Sequence, residues 1–315
     1  MTKTSPEPLR LGTRRSALAL AQSGQVARAL EAEHPGLTVD LVGIVTTGDV
    51  VTGDLAEVGG KGLFTLELER GLLEGSIDFA VHSLKDLPVT LPEGLGVAAF
   101  PRRADPRDVL VSEAAASLDD LPEGAVVLTG ALRRRAQILL RRPDLRVEPL
   151  RGNVDTRIRK WRETGAGGVI LAAAGLGRLG IEGLPAHPIP EDVLLPAPGQ
   201  GTLALETKTG SRAEALCRAL DHAASARAAE IERRVVAAFG GDCTLPLAAW
   251  ARPEGEDGGR RMRLTALLAT PDGRRTARGE AAGEDPAELA AACVAAMRAD
   301  GADEILSSLG KTKKG

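Results

Sequence analysis

The stretch Val126–Ala173 reads VVLTGALRRRAQILLRRPDLRVEPLRGNVDTRIRKWRETGAGGVILAA, and its hydrophobic period switches four times. Val126–Thr129, Arg146–Leu150 and Val169–Ala173 read as short strands; Leu132–Arg141 and Val154–Thr164 read as helices between them. Strand and helix in strict alternation, with crossovers long enough for a helix, describe a layered α/β domain.

The same alternation lies N-terminal to this stretch. Leu9–Gly12 reads as a strand, Ser16–His34 as a helix and Leu37–Val45 as a β-rich run. Phe64–Leu73 follows as a helix, then Ile77–Val81 and Gly96–Phe100 as strands. C-terminal to it, Pro185, Pro188, Pro190, Pro196 and Pro198 punctuate a connection, and Thr202–Glu206 reads as a strand able to return to the first domain. Ser211–Phe239 is alanine-rich and helical throughout; Leu247–Ala251, Met262–Ala269 and Arg274–Gly279 are strand-like, with a Pro271-Asp272-Gly273 turn between the last two. Pro286–Ala299 reads as a closing helix, and Lys311–Gly315 as a frayed end. The expected domains are an α/β unit over 1–104 and 202–220, a second over 105–201, and a small α+β unit over 221–315.

Composition narrows the function classes. At 315 residues the chain is long enough for two or three cores. Aromatics make up 2% and tyrosine is absent, so there is no platform for stacking bases. A net charge of −3 provides no global basic field for nucleic acid. Three scattered cysteines and four separated histidines form neither a disulfide framework nor a metal-ligand spacing. Met1–Pro8 is polar and Gly168–Leu176, the longest apolar run, is too short for a bilayer. The expectation is a cytoplasmic protein in a reducing compartment, with no metal, membrane or nucleic-acid partner.

Several segments can carry chemistry. Val81-His82-Ser83-Leu84-Lys85-Asp86-Leu87-Pro88 follows an apolar strand, and strand ends are where α/β sheets bind ligands. A solvated turn and a ligand-facing turn are equally open readings of Lys85 and Asp86 taken alone. Arg133-Arg134-Arg135 opens a helix against the macrodipole, which points to an external anion offsetting the charge. Arg151-Gly152-Asn153-Val154-Asp155-Thr156-Arg157 and Arg178 follow the next two strands. Three strands of one domain thus deliver arginine past their C-terminal ends, which describes a cleft for a small polyanion. Lys61, in a long aperiodic stretch ending Val58-Gly59-Gly60-Lys61-Gly62, reads on its own as a solvated lysine. Cys217 and Cys293 lie in apolar helical segments; Cys243, in Gly240-Gly241-Asp242-Cys243-Thr244-Leu245-Pro246, lies in a loop.

Taken in order, Val81–Pro88, Arg151–Arg157, Ala174–Gly180, Pro196–Gly201 and the Cys243 loop strongly resemble the porphobilinogen deaminase family, from Leu9 to about Leu306. The resemblance implies two periplasmic-binding-protein-like α/β domains with a cleft between them, plus a small C-terminal α+β domain. It implies a monomeric transferase of tetrapyrrole (haem) biosynthesis, condensing four porphobilinogen molecules head to tail into hydroxymethylbilane with loss of ammonia. The chain is primed on a dipyrromethane cofactor held as a thioether by Cys243. Each pyrrole carries an acetate and a propionate, so the growing polypyrrole demands many cations. By this resemblance Asp86 is the essential carboxylate, facing the positive charge that develops as ammonia leaves. Lys85, Asp86, Thr129, Arg133, Arg134 and Ser16 bind the cofactor; Arg14, Ser16, Arg151, Arg157, Arg178 and Lys61 bind substrate.

Four positions depart from the family's habit. Glu57 stands where some members have lysine, Gly130 and Ala131 where serines are common, and Asp242 where glycine is common. A non-catalytic two-domain binding protein for a small polyanion is the alternative, and it would have no use for Cys243 or Asp86.

Overall fold

The computed structural model describes residues 7–50, 62–240, 245–255 and 260–312. In chain order its elements begin β1 (Leu9–Arg14), α1 (Ala17–Glu33), β2 (Val39–Ile44), α2 (Thr47–Val50), α3 (Leu66–Glu74), β3 (Phe79–Ser83) and β4 (Leu95–Ala99). There follow β5 (Asp108–Val111), β6 (Val126–Leu128), α4 (Leu132–Arg141), β7 (Arg146–Glu148), α5 (Val154–Thr164), β8 (Gly168–Ala172), α6 (Ala173–Leu179) and β9 (Ala186–Pro188). The chain ends with β10 (Leu203–Lys208), α7 (Arg212–Cys217), α8 (Ala223–Ala238), β11 (Leu247–Pro253), β12 (Met262–Ala269), β13 (Thr276–Gly283), α9 (Pro286–Ala299) and α10 (Ala302–Thr312). Two compact units result: residues 1–103 with 202–226, and residues 104–201 with 227–315.

The first unit is built on a sheet of order β2-β1-β3-β10-β4. β1, β2 and β3 run parallel, and β10 is antiparallel to both β3 and β4. Phe79, Ala80 and Val81 are buried in succession because both faces of β3 are covered, which is why this strand reads as a continuous apolar run. One face packs Val26, Ala27 and Leu30 of α1, the other Leu68 and Leu72 of α3. Gly12 permits the second contact: a Cβ there would lie 2.3 Å from Ile77 Cδ1.

The second unit holds a sheet of order β7-β6-β8-β5-β9, again three parallel strands followed by an antiparallel one, β5. The two five-stranded sheets thus form the two α/β domains expected. The same unit contains the antiparallel sheet β11-β12-β13, closed on one face by α8, α9 and α10 around Ile231, Leu264, Leu268, Cys293 and Met297.

Ser211–Phe239 is not one helix. Asp221 is extended, its carboxylate accepts the Phe100 amide at 2.8 Å, and the His222 amide donates to the Phe100 carbonyl at 3.0 Å. The end of β4 thereby takes the backbone groups that a continuous helix would have needed. β5, β9, α6 and α10 were not anticipated from the sequence.

Candidate active site

Because β1 and β3 are parallel neighbours, the segments that follow them emerge at one edge of the first unit's sheet. Arg14 closes β1 and lays its guanidinium over the Phe64 ring, 4.2 Å from the centroid, a cation–π contact that orients it. Ser16 caps α1, its hydroxyl accepting the Ala19 amide at 3.3 Å and keeping its own proton to donate. After β3 a single 3₁₀ turn, Leu84–Asp86, carries Lys85 half-buried and Asp86 exposed. The turn is held by the Leu84 amide on the Thr202 carbonyl (3.0 Å) and the Leu87 amide on the Leu84 carbonyl (3.1 Å). Gln22 of α1 donates to Ser83 Oγ at 3.0 Å, tying the helix capped by Ser16 to the strand that presents Asp86.

Beneath this turn lies a buried group that sequence reasoning missed. His82 Nε2 and Glu206 Oε2 are 2.9 Å apart, with side chains 5% and 0% exposed. Glu206 Oε1 is buried without a hydrogen-bond partner among the described residues. Glu69 of α3 shares the region, and desolvation raises its carboxyl above the ordinary range despite a hydrogen bond with Thr65. The legible signal is a titratable residue inside a strand that otherwise reads as buried.

In the second unit, β6, β7 and β8 are parallel, so their C-terminal ends share an edge. Thr129 follows β6, buried, its Oγ1 accepting the Ala131 amide at 3.3 Å. Gly130 lets the two segments approach closely: a Cβ there would stand 2.5 Å from the Leu150 carbonyl oxygen, so a side chain would need the backbone to shift. Arg151 is exposed after β7; Arg157, on α5, is half-buried and donates from Nε to the Gly152 carbonyl at 2.8 Å. Arg178, in the last turn of α6, donates from Nη2 to the Gly201 carbonyl at 2.7 Å. Desolvation lowers its pKa to about 10, and among the described residues no carboxylate pairs with it.

Arg133 and Arg134 are not open to solvent as a charged helix opening would be. An internal anion, which the sequence did not suggest, offsets part of their charge: Asp108 of β5 lies 2.7 Å from Arg133 Nη2 and 2.7 Å from Arg134 Nη2. Desolvation would raise the Asp108 carboxyl, but Arg133 and Arg134 outweigh it and hold it well below the ordinary carboxylate range. Asp108 was missed because an acid at the head of the apolar run Val109-Leu110-Val111 gives no local sign of its partner.

Cys243 and Lys61, with Glu57 and Asp242, lie outside the described residues. Cys217 and Cys293 are buried, and desolvation pushes both thiols up to about 12, which makes them inert packing groups. No cluster of metal-ligating side chains occurs among the described residues, and no described helix is long and apolar enough to cross a membrane.

Comparison with known proteins bears on both units. Residues 9–215 match the family model for the porphobilinogen deaminase dipyromethane cofactor binding domain, and residues 226–299 match that for the porphobilinogen deaminase C-terminal domain. A porphobilinogen deaminase of Rubrobacter xylanophilus is 48% identical over 298 residues, 94% of this chain and 95% of that one. One from Acidithiobacillus ferrooxidans is 45% identical over 306 residues (96% and 99%), and one from Brevibacillus brevis is 43% identical over 302 (95% and 97%). Among solved structures, the periplasmic aliphatic sulphonate binding protein of Escherichia coli is similar at a TM-score of 0.37 and 14% identity, covering 74% of this chain and 70% of that one.

Proposed function

The chain belongs to the porphobilinogen deaminase family, and from that premise we propose how its own residues serve the reaction. The protein is a transferase that joins porphobilinogen units head to tail into hydroxymethylbilane, releasing ammonia and using a dipyrromethane cofactor. The family membership does not favour a non-catalytic binding protein.

The observation that carries the assignment of the site is Arg178. A desolvated cation that donates to a carbonyl, with no carboxylate paired to it among the described residues, is poised for a carboxylate of a ligand. Each unit also presents cations after its parallel strands: Arg151 and Arg157 in the second, Arg14 and Lys85 in the first. This donor set fits the acetate and propionate groups on each ring of the cofactor and substrate. In our reading Lys85, Thr129, Arg133, Arg134 and Ser16 hold the dipyrromethane, and Arg14, Ser16, Arg151, Arg157, Arg178 and Lys61 hold substrate. Cys243 is the thioether attachment point. When bound, the cofactor supplies the nucleophilic pyrrole carbon on which the chain grows.

Asp86 is the catalytic carboxylate. No hydrogen bond or ion pair engages it among the described residues, so it is free to accept a pyrrole N–H. There it stabilises the positive charge that develops as ammonia departs, and it can move a proton. The domain limits 1–104 with 202–220, 105–201 and 221–315 belong to this proposal, as do a monomeric state and a cytoplasmic location without nucleic-acid or membrane partners. The small net charge of −3 and the scarcity of aromatics support the absence of a nucleic-acid partner.

The test is the intact mass of the purified, denatured protein. The expected result is an excess equal to two porphobilinogen units less two ammonias, abolished in Cys243→Ser. An unmodified mass that persists after incubation with porphobilinogen would overturn the assignment.

A further inference from the structure

Arg133 and Arg134 stand at the N-terminal turn of α4, where the helix macrodipole opposes a cation, and each is about 5% exposed. Two adjacent buried guanidiniums lose their hydration and repel each other unless an anion lies between them. Asp108, wholly buried, is that anion. Its Oδ2 accepts Arg133 Nη2 (2.7 Å); its Oδ1 accepts Arg134 Nε (3.1 Å) and Nη2 (2.7 Å). Gln200 Nε2 donates to the same Oδ1 at 2.8 Å and to the Pro106 carbonyl at 2.7 Å. Each arginine has a second anchor: Arg133 Nη1 on the Leu195 carbonyl (2.6 Å), Arg134 Nη1 on the Ile170 carbonyl (3.0 Å).

We infer that Asp108 is the positioning residue of the arginine pair, fixing both guanidinium forks and reducing their joint charge from two to one. The inference rests on the reading of Arg133 and Arg134 as cofactor ligands. Asp108 is suited to the task because β5 runs between β8 and β9, so its backbone has no freedom to follow a moving arginine. Fixed forks present their remaining N–H groups in one geometry, and a single net positive charge attracts a carboxylate without two bare cations forcing the helix start apart. Gln200 couples this arrangement to the Pro196–Gly201 segment, whose Gly199 amide is held by the buried Glu232 of α8 at 2.5 Å.

The experiment uses the full chain with Asp108→Asn and Asp108→Glu. Three quantities are read: the fraction of folded protein carrying the cofactor mass, KM against kcat for porphobilinogen, and the melting temperature. The expected result is a reduced loaded fraction and a kcat/KM lower by about tenfold or more in D108N, with partial rescue in D108E. A merely structural role would lower the melting temperature while folded protein loaded and turned over normally, and that result would overturn the inference. If D108N does not fold, D108E decides by the same readings. In the parent protein, the Arg134 Nε–H should exchange slowly with water in nitrogen-resolved NMR; rapid, averaged exchange would also overturn it. A parent without any mass excess defeats the family reading of the site and this inference with it, whereas a loaded parent with parent-like variants defeats this inference alone.

Discussion

Asp86 and Asp108 have the same side chain in opposite circumstances, and a pair of measurements separates them. Asp86 is exposed on a one-turn helix, so Asp86→Asn should leave the melting temperature unchanged while kcat falls by roughly two to four orders of magnitude. Asp108 is buried on a sheet strand and holds its proton less tightly folded than unfolded. A carboxyl lowered on folding stabilises the protein above its unfolded value, about 3.9, and loses that contribution as pH falls below it. Calorimetry should therefore find the gap in melting temperature between parent and D108N widest above pH about 4, narrowing as acid is added. The arginines at strand ends were legible, because a strand followed by a cation is a local pattern. Their dependence on Asp108 was not, because the carboxylate sits on a four-residue strand distant in sequence and only the sheet brings them together.

Elements with long periodic segments were readable: Leu132–Arg141, Val154–Thr164, Met262–Ala269 and Pro286–Ala299 form with the expected bounds. Of the missed ones, β5, β9 and α6 lack a period, whereas α10 carries one at Ala302, Ile305, Leu306 and Leu309 that was passed over. β5 and β9 are four and three residues long, and α6 contains Gly175 and Gly177, which weaken any helical reading. Two substitutions probe what fixes the readable elements. Asp285 caps α9 by accepting the Ala287 and Glu288 amides, both at 2.8 Å, so Asp285→Ala should lower stability by about 1 kcal/mol in a urea titration. Gly279 of β13 lies under α9, where a Cβ would sit 2.3 Å from the Cys293 carbonyl oxygen. Gly279→Ala should shift the same titration by about 1–3 kcal/mol, since neither backbone can yield without repacking.

At the scale of the molecule, the chain leaves the first unit at residue 103 and re-enters it at 202. The two passing segments touch: the Ala104 amide donates to the Gly201 carbonyl at 3.2 Å. A side chain at Gly201, whose φ is +85°, would lie 2.6 Å from the Ala104 carbonyl oxygen. A shortened chain, with residues 1–103 joined to 202–226 through two glycines, should melt cooperatively by circular dichroism. Residues 1–103 alone should show no such transition, because β10, seated between β3 and β4, would be missing.

The placement of β10 also imposes an order of events on a ribosome. By the time Ala99 has been made, the first sheet has every strand but one, with β3 unpaired on the side where β10 belongs and β4 without its partner. Synthesis then spends the whole of 104–201 on another sheet before the missing strand is made. During that interval an open strand edge is available to any extended peptide nearby. The sheet that starts first is therefore completed only after the sheet of 104–201 has been made, and the nascent chain's exposure to chaperones and to misassociation is concentrated in the first hundred residues until Lys208 clears the exit tunnel.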